Sequence, residues 1–158
     1  MSATEIIVAK PLALHLTWDG DTLDSIGLRW AGDADVSAPR TGLGRELAEA
    51  LTRYVAGERV EWPVLPVDLS RLAPFHRVVL KELYRIPAGQ SLSYGQLAER
   101  CGSPKAARAV GQVMAKNPWP LVFPCHRVLA SGGGLGGFGP GVEMKKWLLD
   151  LERRSCAG

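Results

Sequence analysis

The chain has 158 residues, 46% hydrophobic and 22% charged, which is enough apolar material for one ordinary domain or two small ones and excludes global disorder. No stretch approaches the ~18 apolar residues of a membrane span. Residues 1–10 lack the basic start and long apolar run of a secretory signal. The three cysteines, Cys101, Cys125 and Cys156, form no CxxC pair, which argues against a disulfide framework and for a reducing, cytoplasmic setting. The net charge of +3 conceals an asymmetry. Residues 1–70 carry 6 basic and 11 acidic side chains, and residues 71–158 carry 13 and 5. The C-terminal half is therefore the one suited to a polyanion, with scattered surface charge as the alternative.

Residues 1–70 read as a small scaffold domain. Leu12-Ala-Leu-His-Leu-Thr-Trp18 and Leu23-Asp-Ser-Ile-Gly-Leu-Arg-Trp30 flank Asp19-Gly20-Asp21-Thr22, a hairpin signal. After a polar loop at 33–40, a helix is expected from Gly42 to Ala56. Leu43, Leu47, Leu51, Tyr54 and Val55 form its apolar stripe, and Gly57 is its C-cap. The two prolines of Glu61-Trp-Pro-Val-Leu-Pro-Val-Asp68 predict an extended connector.

Residues 71–158 read as a mostly helical domain. Pro74 suits the first turn of a helix to about Ile86, with Phe75, Val78, Val79 and Leu83 on one face. A short helix follows over Ser93–Cys101. Ser103 is placed to cap a second helix that has Pro104 in its first turn and runs to about Lys116. Two short helices about a glycine-containing turn outline a helix-turn-helix. The second is rich in small residues, Ala106, Ala107, Ala109 and Gly111, around a lone Arg108. Such a helix packs tightly against a neighbour or lies close to DNA, and Arg108 is suited to reach phosphate or enter a duplex. The predicted architecture is α+β: a small antiparallel sheet with a helix, then the helix-turn-helix domain.

The chemistry concentrates after Asn117. Cys125 lies in Pro124-Cys125-His126-Arg127. A thiol of ordinary pKa, near ~8.5, needs a base or a nearby cation to become a nucleophile, and His126 and Arg127 are suitable in type. Neighbouring side chains on a strand point to opposite faces, however. A buried structural cysteine is therefore the competing reading, unless the backbone turns here or a water bridges the two groups. The other cysteines and His76 show no ligand spacing, so no metal is expected. Gly132 to Gly141 is glycine-rich but holds Leu135 and Phe138, as a packed loop would. In the last helix, from about Val142 to Arg153, Lys145 and Glu152 stand seven residues apart, two turns along one side.

These strings resemble a known family. Asn117-Pro-Trp-Pro-Leu-Val-Phe-Pro-Cys-His-Arg-Val128 is similar to the active-site motif of the O6-alkylguanine-DNA alkyltransferases. Ser93-Tyr94-x-Gln96-Leu-Ala, Pro104-Lys-Ala-Ala-Arg-Ala-Val-Gly111, the glycine loop and Lys145-x-Trp-Leu-Leu-x-x-Glu152 follow in that family's order and spacing. The good match covers about residues 72–153.

The resemblance implies stoichiometric, irreversible transfer of an alkyl group from O6-alkylguanine, and from O4-alkylthymine, in duplex DNA to Cys125. It makes His126 the base acting through water, Glu152 its orienter, and Asn117 the support of the turn. Tyr94, Lys145, Val128, Phe138 and Gly139 would bind the base. Arg108, Ala106, Ala107, Gly95, Gly111 and Ser131 would meet DNA in the minor groove, Arg108 replacing a flipped nucleotide. It implies no cofactor, no membrane partner, and a monomer in solution that could cluster side by side on DNA. Phe138 replaces a common tyrosine, Gly139-Pro140 a common serine or glycine pair, and His76 a common glutamine. Three other readings fit less well. A non-repairing relative would carry tryptophan at position 125, a papain-like hydrolase would leave the helix-turn-helix unexplained, and a redox regulator needs more base-reading side chains than the alanine-rich helix offers.

Overall fold

A computed structural model describes residues 2–130, 132 and 134–157. The chain separates into two compact units, Met1–Asp68 and Leu69–Gly158, and the architecture is α+β.

The first unit is a three-stranded antiparallel sheet in the order β1 (Ser2–Ala9), β2 (Leu12–Asp19), β3 (Thr22–Trp30), with helix α1 (Gly42–Val55) packed on it. The β2–β3 turn has Gly20 at φ +61°, in the first central position, where two-residue hairpin loops favour glycine. The register pairs Ile7 with Leu14, Leu14 with Leu28 and Leu16 with Ile26, so one face carries a continuous apolar row. Leu47 and Leu51 of α1 are buried with it. β1 was not among the predicted elements.

α1 starts as expected at Gly42, capped by Thr41, whose hydroxyl accepts from Gly44 N–H. Its buried face is Gly44, Leu47, Ala50, Leu51 and Tyr54; Leu43 and Val55 are only half-buried. Gly57, at φ +90°, donates to the Tyr54 carbonyl, and Glu58 N–H reaches the Arg53 carbonyl, which together close a Schellman motif. The proline-rich connector belongs to this unit: Leu65 is buried, Trp62 tilts against Tyr54, and the Pro66 carbonyl accepts from Leu23 N–H at 2.8 Å.

In the second unit, α2 (Pro74–Tyr84) does open with proline. Its buried residues are Val79, Leu80 and Leu83, whereas Val78 is exposed. Helix α3 (Tyr94–Arg100) has a full capping box between Ser93 and Gln96. It ends in a second Schellman motif: Gly102 N–H bonds the Glu99 carbonyl and Ser103 N–H the Ala98 carbonyl.

Helix α4 (Ala107–Ala115) starts three residues later than predicted. Ala106 N–H bonds the Ser103 carbonyl at 2.9 Å, so Pro104 sits in a tight turn and Ser103 caps nothing. Proline suits the second position of such a turn as well as the first turn of a helix, and here the turn wins. α4 buries Val110, Val113 and Met114, each apolar side chain contributing about 1.5–3 kcal/mol. A loop, a 3-10 turn (Cys125–Arg127), β5 (Val128–Leu129) and α5 (Val142–Ala157) complete the unit.

Candidate active site

The site begins with two very short strands. β4 (Leu92–Ser93) and β5 pair in parallel, Leu92 with Val128 and Ser93 with Leu129. Ser93 also caps α3. The first residue of α3, Tyr94, is thereby held beside the chain that has just left Cys125.

The loop before Cys125 is pinned by Asn117. Its Nδ2 donates to the Phe123 carbonyl at 2.8 Å, and its Oδ1 accepts from Trp119 N–H at 3.0 Å. Leu121 within this loop takes φ +77°, a sparsely populated conformation for a bulky residue that persists only where surrounding bonds enforce it. Cys125 then opens the 3-10 turn. Successive side chains there lie about 120° apart, since the turn has 3.0 residues per revolution. They do not oppose each other as on a strand, and the geometric objection to a Cys125–His126 partnership falls.

Burial pushes the Cys125 thiol up, against the pull of the Asn117 amide and the Lys145 ammonium. The resting thiol therefore holds its proton at neutral pH, and a base is needed to remove it. His126 is fully buried beside it. Its Nε2 lies 2.7 Å from Glu152 Oε2, while Nδ1 has no hydrogen-bond partner among the described residues. Burial opposes ionisation of Glu152, yet the facing His126 and the Arg127 guanidinium outweigh it and hold the carboxyl well below the usual range. An ionised carboxylate only accepts, so the shared proton sits on Nε2, and Nδ1 is the basic atom of the neutral ring.

Arg127 corrects one expectation. It does not serve the thiol: Nε and Nη2 fork onto Glu152 at 2.8 and 3.0 Å, and Nη1 donates to the Ile86 carbonyl at 2.6 Å. The cation that acts on Cys125 is Lys145.

Lys145 and Glu152, both on α5, are fully buried. Lys145 Nζ bonds the carbonyls of Val128 at 2.7 Å and Gly137 at 3.2 Å, tying the glycine loop to β5. The N–H of Gly137 is directed at the Tyr94 phenol oxygen. Burial, with the Cys125 charge, pushes that phenol up, so it stays a donor at neutral pH. Gly136 is at φ +74°, and a Cβ there would stand 2.8 Å from the Tyr94 hydroxyl, so only glycine fits behind this ring.

Cys125, Tyr94, Phe138, Gly139 and Gly111 line one cavity of about 150 Å³, together with Met114, Ala115 and Gly137. Lys145 and Val128 stand outside its wall, acting on each other and on the loop. Gly139 N–H has no acceptor among the described residues, and the Phe138 carbonyl is taken by Gly141 N–H at 2.9 Å, a turn that includes Pro140. The Phe138 ring meets His126 edge-on, with centroids 6.4 Å apart. Met114 and Ala115 were not predicted, although their spacing from Gly111 (three and four residues) puts them on one helix face.

Of the predicted DNA-facing residues, Arg108 is exposed, and Gly95, Ala106, Ala107 and Gly111 are half-buried. Ser131 lies outside the described residues. Among the described residues no three His, Cys, Asp or Glu side chains form a metal-binding group, and no helix is long and apolar enough to cross a membrane.

The profile of the 6-O-methylguanine DNA methyltransferase DNA-binding domain matches residues 74–154. The methylated-DNA–protein-cysteine methyltransferase of Mycolicibacterium paratuberculosis is 47% identical over 67% of this chain and 63% of its own length. That of Shigella flexneri is 43% identical over 80% of this chain and 72% of its own. Among solved structures, Mycobacterium tuberculosis OGT in complex with DNA superposes with a TM-score of 0.78 at 36% identity, over 95% of this chain and 92% of that one. Fold and profile together define the class, an α+β DNA-repair methyltransferase with a DNA-binding domain. Within that class, the chain belongs to the methylated-DNA–protein-cysteine methyltransferase family.

Proposed function

We propose that this chain repairs alkylated DNA directly, moving the alkyl group from O6 of guanine, and from O4 of thymine, onto Cys125 Sγ in a single irreversible event. The observation that carries this reading is the cavity. One wall is α4, the second helix of the helix-turn-helix, and another is the Cys125 thiol. At about 150 Å³ it is smaller than the ~300–1,000 Å³ pockets that hold drug-sized ligands, and a base still paired in a duplex cannot enter it. The lesion must leave the stack, at a cost of a few kcal/mol. The slender α4 enters the minor groove, exposed Arg108 takes the vacated position, and the basic half of the chain supplies sequence-independent affinity.

At the reacting centre the thiol proton passes through water to His126 Nδ1. The sulfur lone pair forms a bond to the alkyl carbon as the carbon–O6 bond breaks, leaving its electron pair on the guanine. Tyr94 and the Gly139 N–H donate to the leaving oxygen and ring nitrogen, and Lys145 holds the loop that presents Gly139. The thioether has no route to hydrolysis, so each molecule acts once. The test is a duplex with one O6-methylguanine in excess over protein. Lesion loss should plateau at one per protein molecule; turnover beyond one, or no loss, contradicts the reading.

A further inference from the structure

Arg127 has no part in the chemistry just described, yet it is buried with three of its donors engaged. We infer that Arg127 is a positioning residue that fixes Glu152 so that the neutral His126 ring keeps its proton on Nε2 and offers Nδ1 to the thiol, a role that rests on the function proposed above.

The geometry runs in one chain. The Ile86 carbonyl, just past the C-terminal end of α2, holds Nη1 at 2.6 Å. The guanidinium is planar, so fixing one corner fixes the fork. Nε and Nη2 then take one carboxylate oxygen each, which prevents the carboxylate from rotating on its χ3 axis. Oε2 is left 2.7 Å from His126 Nε2. A lysine has no such fork and would act as a point charge.

The charge matters as well as the shape. A buried carboxylate beside an imidazole with no other cation pulls a second proton onto the ring, and an imidazolium cannot act as a base. Arg127 shares the carboxylate's charge and weakens that pull. The titratable and charged groups packed around the turn are Glu152 and Lys145 from α5, Cys125 and Arg127 from the turn itself, and Tyr94 from α3. Of these, Arg127 is the one bonded to both oxygens of the carboxylate that faces the ring.

The test is nitrogen-15 NMR of the histidine rings, with no substrate present, combined with rate–pH profiles of alkyl transfer. In the natural protein the neutral His126 ring should be protonated on Nε2. Arg127→Met should move the acid limb of the rate profile up by roughly one pH unit, close to a tenfold loss at fixed pH on that limb, recovered at higher pH. Arg127→Lys should fall between. Arg127→Met/Glu152→Gln, which removes both buried charges, guards against misfolding of the single variant; it should be folded and show a mixture of ring tautomers. A natural protein protonated on Nδ1 overturns the inference whatever the variants do. So does a folded Arg127→Met with an unmoved profile, or with the same loss at every pH. The ring measurement needs no alkylated DNA, so a failed transfer assay would count against the proposed function and not against this assignment.

Discussion

Each unit of the molecule buries one glutamate, and the two are held in opposite ways. Glu5, in the sheet of the first unit, accepts from Trp18 Nε1 at 2.6 Å, Arg40 N–H at 2.7 Å, Thr41 N–H at 3.1 Å and Thr41 Oγ1 at 2.7 Å. Glu152, in the second unit, is held by a guanidinium fork and an imidazole. Burial opposes ionisation of both, and their partners overcome it in both. The Glu5 donors are neutral groups that do not exchange protons near neutral pH, and its network ties β1 to β2 and to the start of α1. The Glu152 network contains a ring that can take and give a proton next to a thiol. The nature of the partners, and not burial itself, separates a structural carboxylate from one that can serve catalysis.

The largest expected effect lies at the thiol. Cys125→Ser should abolish alkyl transfer while leaving affinity for duplex DNA unchanged by fluorescence anisotropy; loss of both would make the cysteine structural. Glu5→Gln sharpens the contrast from the other side. An amide there turns its NH2 toward two of the four donors, which share one carboxylate oxygen, at a cost on the order of 1–3 kcal/mol in chemical denaturation, with transfer by the folded fraction unchanged. A slower folded fraction would mean that the first unit bears on the chemistry.

Both glutamates also set the acid limit. Their folded pKa values are depressed, so the stability they contribute is complete above the ordinary glutamate value of about 4.3 and is lost as pH falls below it toward the folded values. Between pH 4.3 and 2 the Glu5→Gln protein should lose less stability per pH unit than the natural one; equal slopes would mean that Glu5 has an ordinary pKa. The smallest effect is at the surface. Arg108→Ala should slow repair of duplex lesions several-fold and leave reaction with free O6-alkylguanine unchanged; equal loss on both substrates would remove Arg108 from base flipping.

Much of this was legible where a local signal exists. Asp19-Gly20-Asp21-Thr22 marked its hairpin, Gly57 and Gly102 stand at helix ends, and the seven-residue spacing of Lys145 and Glu152 put both on one side of α5. β1 was not expected although Glu5-Ile-Ile-Val8 is rich in β-branched residues, because the inward position 5 holds a charged residue, which breaks the apolar alternation of a strand. Two further features had no local signal. Strands of two residues, such as β4 and β5, have no period to read. The bond from Arg127 to Glu152 spans 25 positions, and a polar pair so far apart leaves no pattern in the chain. The 3-10 turn at Cys125 was hidden for a third reason: the apolar run Leu121 to Leu129 reads as a strand, whereas Asn117 and the left-handed Leu121 bend it.

The most direct test is the mass of the intact protein after exposure to one equivalent of duplex containing O6-methylguanine, followed by peptide mapping. One added methyl group on every molecule, located on Cys125, is the predicted result. An unmodified protein that is folded and bound to the lesion, or a methyl group on Cys101 or Cys156, would contradict it.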